Sequence, residues 1–327
     1  MGSQAASGVT FRQDLTELAE EITFEELNLT AEKIATTVPV DDVAGQWPVL
    51  PRESRMKVPD TRRHEDGTYT RGQWEWNKDT YQTFEYGFEE PVDNVSQIVN
   101  KKYINQEEIS TELSMEGVML ARESRVATAL FNETTFATGL VTVTNEWDDP
   151  TNAVPYANIQ AAYIALRAKC GLSKGNFSLI ISDDLVDFFF RTDEVVNGSK
   201  YVVILQTMPR AAKLRWMAEY FGIKEVVETH TLYDTTGLAQ GMSIGKFWSN
   251  EYAMLALLAP PTRSMKARGV IRQVAYSPIT NNVIVESYDE PAKNGMVIRA
   301  REYRGIKTNA DYGVLLKNMK TTVSSGI

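Results

Sequence analysis

The chain has 327 residues, of which 43% are apolar, which is enough for one or two domains with a substantial core. Its formal net charge of −9 argues against a protein that grips nucleic acid, because binding to phosphates needs clustered Lys and Arg. The single cysteine, Cys170, excludes an internal disulfide framework and a cysteine-cluster zinc site.

Membrane and secretion signals are not indicated by the hydrophobic pattern. The longest mostly apolar run, Tyr252 to Pro261, is about half as long as a membrane-spanning helix requires. The first residues, MGSQAASG, lack both the basic flank and the apolar stretch of a secretion signal. We therefore expect synthesis in the cytoplasm and no association with a membrane.

The charge is distributed unevenly along the chain. Residues 1–150 contain 13 Lys and Arg against 28 Asp and Glu, whereas residues 151–327 contain 21 against 15. Halves of opposite sign favour head-to-tail self-association, because the acidic part of one copy can face the basic part of another. Two ordinary solvated faces would produce the same counts, so charge alone leaves both interpretations open.

The first 46 residues have the pattern of an amphipathic arm. Phe11, Leu15, Leu18 and Ile22 fall at helical spacing in an acidic stretch. A second short helix is predicted around residues 25–37, ending before Pro39. Neither helix is long enough to be stable without a surface to pack on.

Residues 47–91 contain a cluster of basic residues and many aromatic residues, and the aromatic residues alternate with polar ones. Trp74 and Trp76 alternate in this way, a polar break follows at residues 77–80, and the alternation resumes at Phe84, Tyr86 and Phe88. This pattern predicts a long β-hairpin with one aromatic face. A two-stranded ribbon is only marginally stable alone, so the rings need a further surface, for which another subunit is a candidate. The predicted inter-subunit contacts are Arg52, Arg55, Arg62, Arg63, Trp74, Trp76, Phe84, Tyr86 and Phe88.

The strongest helix prediction covers residues 106–132 and corresponds to a length of about 40 Å. Its apolar and small residues repeat at intervals of three and four, which predicts a buried stripe. The stripe consists of Ile109, Leu113, Gly117, Leu120, Ser124, Ala127 and Phe131. Beyond this helix, predicted helices at 157–169 and 209–221 alternate with short strands, and the chain from residue 253 onward is mainly strands. The fold class is therefore predicted to be α+β.

The sequence contains few residues suited to catalysis or metal binding. His64 and His230 are the only histidines, and neither has a partner at metal-ligand spacing. Asp148-Asp149 and Asp183-Asp184 are adjacent acids that suit turns or helix caps better than paired acid–base work. No catalytic, cofactor-binding or metal-binding residue is predicted.

One motif supports an enzymatic alternative. Residues 241–245 match the Gly-x-Ser-x-Gly pattern of a nucleophile elbow, which makes Ser243 a candidate nucleophile of a serine hydrolase. In that fold the histidine base follows the serine along the chain. No histidine follows Ser243, and His230 precedes it, so the hydroxyl has no suitable base.

Several segments resemble the major capsid proteins of tailed bacteriophages. They are PRESRMKVPDTRRHEDGTYTRGQWEW from Pro51, TYQTFEYGFEEPVD from Thr80, TELSMEGVMLARESRVATALFN from Thr111, NEWDDPTNAVPYANI from Asn145, and MVIRAREYRGIKTNADYGVLL from Met296. The resemblance spans roughly residues 47–316 and rests on the order and composition of the segments. It implies the fold of the Hong Kong 97 phage capsid, which encapsulins also use.

The resemblance implies a division of the chain into four parts. Residues 1–46 would form an N-terminal arm and residues 47–92 an extended β-hairpin loop. A peripheral domain built on a long spine helix would comprise residues 93–149 and 263–308. An axial domain would comprise residues 150–262 and 309–327.

The implied function is structural. The protein would assemble with itself, as hexamers and pentamers, into an icosahedral head shell that encloses double-stranded DNA without reading its sequence. Its other partners would be a portal protein and scaffold or decoration proteins, and it would reside in the virion after assembly in the host cytoplasm. An encapsulin-type bacterial compartment remains the nearest alternative, and the serine hydrolase is the alternative of a different class.

Overall fold

A computed structural model describes residues 9–12, 15, 29–49, 58, 61–63, 67, 69, 71, 77–198, 207–236, 241–260, 262, 268–277, 283–291 and 294–321. The strands within these residues are β1 (Val9–Phe11), β2 (Thr36–Val40), β3 (Ala44–Val49), β4 (Asn77–Gln82), β5 (Phe84–Asp93), β6 (Val141–Thr142), β7 (Ser178–Ser182), β8 (Glu225–Thr229), β9 (Leu232–Asp234), β10 (Ile244–Lys246), β11 (Tyr252–Ala256), β12 (Ile271–Tyr276), β13 (Ile284–Glu290), β14 (Gly295–Thr308) and β15 (Gly313–Lys317). The helices there are α1 (Ala31–Ile34), α2 (Asn94–Asn100), α3 (Gln106–Leu130), α4 (Pro155–Cys170), α5 (Asp183–Phe189), α6 (Asp193–Gly198) and α7 (Arg210–Phe221).

A six-stranded sheet is built around the long strand β14. The order is β1-β13-β14-β12-β2, and β5 also pairs with β14. Helix α3 packs across β5 and β14. Val92, Met115, Val118 and Ile298 fill the space between helix and sheet, together with Leu15 from the arm. Burial of this apolar surface holds helix and sheet together.

A second sheet has the order β6-β15-β11-β7-β8 and carries helices α4 and α7. All five residues of β7 are buried, as expected for a strand covered on both faces. Ile159 and Leu166 of α4 and Phe221 of α7 pack against it in one core cluster. Strand β6 lies in the segment expected to be peripheral but pairs with β15 of this sheet. The four-part division of the chain stays a prediction.

A third core cluster joins the two sheets. It contains Leu130 from the end of α3, Ile34 from α1, Ile271 from the first sheet, and Ile180 and Leu315 from the second. The spine helix therefore begins on one sheet and ends in a core shared with the other. The predicted mixture of helices and strands is confirmed, and among the described residues none of the helices could cross a bilayer.

The predicted long helix exists, but its predicted buried face was wrong. Ile109 and Leu113 are 41% and 46% exposed, and Leu120 is only half-buried. The side chains that are buried on α3 are Thr111, Ser114, Met115, Val118, Arg122, Glu123, Val126, Ala127 and Leu130. The apolar spacing failed here because two charged residues belong to the buried face, where partners from distant segments satisfy them.

The polar break predicted within the hairpin was also wrong. Residues 77–80, expected to be a polar break, lie in strand β4, which pairs with β3 in a two-stranded ribbon. Strand β5 pairs instead with β14. Polar residues suit β4 because much of the ribbon faces solvent, and the Asp79 carboxylate forms an ion pair with Lys307 of β14.

The arm differs from its predicted helices. Phe11 lies in strand β1, which pairs with β13, whereas Leu18 and Ile22 lie outside the described residues. Of the second predicted helix, residues 25–28 lie outside the described residues, and within residues 29–37 only α1 is helical, because the β-branched residues that follow it form strand β2. Pro39 is tolerated in β2 because that strand stands at the edge of the sheet.

Candidate inter-subunit surface

The predicted contact residues separate into two groups. Arg52, Arg55, Trp74 and Trp76 lie outside the described residues, so their contact role stays a prediction. Arg62 and Arg63 are exposed, and the guanidinium of Arg63 donates to the carbonyl of Gly67 at 3.2 Å. The same guanidinium lies 5.5 Å from the centre of the Tyr69 ring, which is itself exposed. These loop residues therefore present positive charge and aromatic surface to solvent.

Phe84, Tyr86 and Phe88 lie on the face of β5 that looks toward the spine helix. Phe88 packs against Gly117, where an added methyl group would stand 2.9 Å from the ring. Glycine is therefore required at this crossing of strand and helix. Phe84 and Phe88 nevertheless remain 51% and 44% exposed. The expectation that this aromatic face lacks a surface within the chain was wrong for Phe88, and its outer part is still open to a second contact.

Tyr86 stacks on a guanidinium of its own chain. The Arg125 guanidinium carbon lies 3.6 Å from the centre of the Tyr86 ring, and Arg125 donates to the Glu302 carboxylate at 2.7 Å. Burial lowers the pKa of Arg125. The cation–π contact with Arg125 of α3 is thus a second contact between β5 and the spine helix, besides the packing of Phe88 on Gly117.

A buried ion cluster lies beneath this contact. The Glu302 carboxylate, whose residue is 1% exposed, accepts from Arg122 and Arg125, and its Oε2 lies 3.0 Å from Nε of Arg304. Burial, together with the nearby Arg122, lowers the pKa of Arg304 to about 10, so it remains charged at neutral pH. Glu32 of the arm, with 63% of its side chain exposed, supplies a second carboxylate to Arg122. The buried carboxylate of Glu302 thus balances most of the positive charge of three guanidiniums.

A second buried carboxylate connects the arm to the second sheet. Glu123 of α3 is fully buried, and its carboxylate accepts from the backbone amide of Ala31 at 2.8 Å and from the Thr30 hydroxyl at 2.6 Å. It also accepts from the Trp248 indole at 2.6 Å and the Thr231 hydroxyl at 3.2 Å. The carboxylate thereby caps the start of α1 and fixes the segment between β8 and β11.

Neither Glu123 nor Glu302 was predicted from the sequence, and Glu123 lies outside the stripe that was predicted to be buried. The available signal was limited to two adjacent opposite charges, Arg122 and Glu123, inside an otherwise good helix. Adjacent residues on a helix point in different directions, so each must find a partner elsewhere when both are buried. The sequence contains no pattern that names those partners.

Ser243 does not lie in a nucleophile elbow. It precedes β10, which pairs antiparallel with β9, whereas an elbow connects a strand to a helix. Its backbone amide donates to the Asp234 carboxylate at 3.0 Å, and its carbonyl accepts from the amide of Thr235 at 2.8 Å. Among the described residues no group of three or more His, Cys, Asp or Glu side chains could hold a metal ion.

We expect Ser243→Ala to leave thermal unfolding and any background ester hydrolysis unchanged. The hydrogen bonds just described use the backbone of residue 243, so alanine preserves them. The measurement is hydrolysis of a p-nitrophenyl ester by the parent and the variant, alongside their melting temperatures. Hydrolysis by the parent that disappears in the variant would restore the serine hydrolase alternative.

No family model matches the sequence, and no curated protein matches it. Solved structures do match. A phage-related protein from Bordetella bronchiseptica RB50 has a TM-score of 0.69 at 15% identity and covers 95% of this chain and 98% of its own. The capsid structure of cyanophage P-SCSP1u has a TM-score of 0.54 at 12% identity, with coverage of 87% and 86%. The chain has the Hong Kong 97-type capsid fold.

This capsid fold is not confined to phages. The SrpI encapsulin of Synechococcus elongatus PCC 7942 has a TM-score of 0.52 at 9% identity and covers 97% of this chain and 99% of its own. The predicted fold is therefore confirmed, including the long spine helix beside a long-stranded sheet. Structural similarity at such low sequence identity establishes the fold alone, because one fold can carry several functions.

Proposed function

We propose that this chain is a major capsid protein that assembles with itself into an icosahedral phage head enclosing double-stranded DNA. The observation that carries the proposal is the match over nearly the whole chain to a phage-related protein and to a phage capsid. No catalytic constellation within the described residues competes with it. Its work is structural, and it is not an enzyme.

Assembly depends on the loop between β3 and β4. The described residues show a ribbon of these two strands, which is only marginally stable in isolation. Its base is tied to the first sheet, where the Lys307 ammonium donates to the Thr80 carbonyl at 3.1 Å and pairs with Asp79. The base is therefore fixed to its own subunit. The predicted contact residues Arg62, Arg63, Trp74 and Trp76 belong to the connection between these two strands, and we propose that they contact a neighbouring copy.

The partners of the chain follow from this proposal. Copies arranged as hexamers and pentamers would use heterologous contacts that close because the rotation at each contact is fixed. A portal protein and scaffold or decoration proteins would complete the head, which is assembled in the host cytoplasm and becomes part of the virion. A net charge of −9 suits a shell that holds DNA without adhering to it. The predicted loop arginines would meet the acidic first half of the next copy.

We expect Arg62→Glu with Arg63→Glu to weaken assembly, and to do so more at low salt than at high salt. Screening already mutes the attraction of the parent at high ionic strength, so less remains to be lost there. Sedimentation at two ionic strengths measures the assembled fraction, and circular dichroism confirms folding. A matched control reverses Arg167 and Arg215, which are exposed on α4 and α7 and change the net charge equally.

Deletion of residues 62–76 tests the same loop more severely. The subunit should still fold, because loop excisions usually spare the core, while shells should be absent in electron micrographs. Normal shells from the deleted protein would refute the role of the loop. The contents of parent shells purified from the host distinguish a phage head from an encapsulin, because a phage head packages DNA and an encapsulin encloses protein.

A further inference from the structure

Helix α2 is oriented with its apolar side chains toward solvent. None of its residues is buried. Val95, Ile98 and Val99 share one side of the helix, at positions i, i+3 and i+4, and are 58%, 77% and 68% exposed. A short surface helix normally turns such a stripe toward the core, because burial of apolar side chains is what stabilises it.

The polar side of α2 makes the contacts within the chain. The Gln97 side-chain amide donates to the Glu107 carboxylate at 2.9 Å, and the Gln106 amide donates to the Ser96 hydroxyl at 3.3 Å. Asp93 caps the helix by accepting from the amide of Ser96 at 2.9 Å. These bonds hold α2 and the start of α3 as one unit. The outward direction of the apolar stripe is therefore fixed by the fold.

Further exposed apolar residues follow α2 along the chain, in the connection to the spine helix and on its first turns. The exposed apolar residues of α2 and of these segments, named here the α2–α3 face, are Val95, Ile98, Val99, Tyr103, Ile104, Ile109 and Leu113. Tyr103 is 84% exposed and the others between 41% and 77%. Together they present on the order of 700 Å², close to the ~800 Å² that one partner contributes to a standard protein interface. Typical monomers seldom expose a patch of this size without a binding role.

We propose that a second copy of this chain covers the α2–α3 face. The inference rests on the proposed function and names a contact separate from the extended loop. The face carries both charges needed to match itself: Lys101 and Lys102 are exposed in the connection between α2 and α3, and Glu108 and Glu112 are exposed beside Ile109 and Leu113. The lysines of one copy meet the glutamates of the next around a rotation axis, so every copy contributes the same surface.

Two other occupants fit the face less well. A nucleic acid or an anionic membrane would be repelled by Glu108 and Glu112 and would leave the apolar stripe in contact with charge. A different protein could cover the apolar residues. Its binding would give no reason for one face to carry both the lysine pair and the glutamate pair, which have opposite charges. The self-complementary arrangement of charge therefore favours a copy of the same chain.

The first test introduces charge into the centre of the face. Ile98→Glu with Val99→Glu should raise the concentration needed for self-association about tenfold or more, because a desolvated charge is placed in the apolar contact. Circular dichroism and the melting temperature of the separated subunit should stay unchanged, since both positions are more than two-thirds exposed. The matched control is Ile164→Glu, at a residue of α4 that is 60% exposed and far from the face along the chain.

The second test exchanges charges between copies. Lys101→Glu with Lys102→Glu, and separately Glu108→Lys with Glu112→Lys, should each assemble poorly. Mixing the two proteins should restore assembly, because opposite charges again meet across the contact. If the mixture does not recover assembly, the pairing of the two lysines with the two glutamates is refuted. If another protein binds the face and self-association does not change, a second copy is refuted as the occupant of the face.

Failure of this inference can be distinguished from failure of the proposed function. If the parent forms closed shells and Ile98→Glu with Val99→Glu forms them at the same concentration, the inference is wrong and the proposed function stands. If the parent forms only small oligomers that the same substitutions abolish, the α2–α3 face is confirmed as a contact and the shell is refuted. A parent that stays monomeric at every concentration refutes both.

Discussion

Glu123→Ala should lower the free energy of unfolding by about 3–5 kcal/mol, because it leaves several buried donors without an acceptor. The backbone amide of Ala31, the Trp248 indole and the Thr231 hydroxyl all donate to this carboxylate. A glutamine at the same position keeps the size of the side chain but replaces one acceptor oxygen with a donor, so Glu123→Gln should be destabilised as well. Denaturant unfolding of the separated subunit measures both.

Loss of Glu123 should loosen two separate segments of the chain at once. Its donors come from the arm and from the segment between β8 and β11, so its loss should increase hydrogen exchange in residues 30–35 and in residues 229–248 together. Glu112→Ala, an exposed position on the same helix, is the control and should change stability by less than about 0.5 kcal/mol. Increased exchange in only one of the two segments would contradict a joint role for this carboxylate.

Glu302→Ala should be comparably damaging, at about 3–5 kcal/mol, because it removes the buried carboxylate of the ion cluster and leaves the buried guanidiniums of Arg122 and Arg304 near only the solvent-exposed Glu32 carboxylate. The side chains of Arg122 and Arg304 are each only 5% exposed, and both contact the Glu302 carboxylate. Their guanidiniums would repel each other once that carboxylate is gone. Thermal and denaturant unfolding of the separated subunit provide the measurement.

Glu32→Ala is the matched control for the ion cluster. It removes a carboxylate from the same Arg122, but 63% of the Glu32 side chain faces solvent. Water and salt screen such a pair, so the expected loss is about 0–1 kcal/mol. Equal losses from Glu302→Ala and Glu32→Ala would show that burial does not set the strength of this cluster.

Local pattern was sufficient for most of the secondary structure. Helices predicted at 157–169 and 209–221 occur as α4 and α7, and β7 is one of the short strands predicted between them. These elements carry continuous or periodic apolar residues, and their burial follows directly from that pattern. The order of the segments was enough to indicate the capsid fold that the solved structures share.

Local pattern failed where partners come from far along the chain. The spacing of Ile109, Leu113 and Leu120 indicated a buried stripe, yet two of these residues are substantially exposed and the third is half-buried. In the α2–α3 face, apolar residues lie outward because the polar residues of α2 are bound to the start of α3. Similarly, the first residues of strand β4 were interpreted as a polar break because the pairing of β4 with β3 is not visible in its own polar sequence.

The sequence by itself determined the α+β class, the long helix, most strands and the likeness to capsid proteins, because each depends on residues close together in the chain. Only the tertiary structure decided which face of that helix is buried. Arg122 and Glu302 are 180 positions apart, and Glu123 and Trp248 are 125 apart. A charge is acceptable in a core only when its partner is present, and the fold alone brings such partners together.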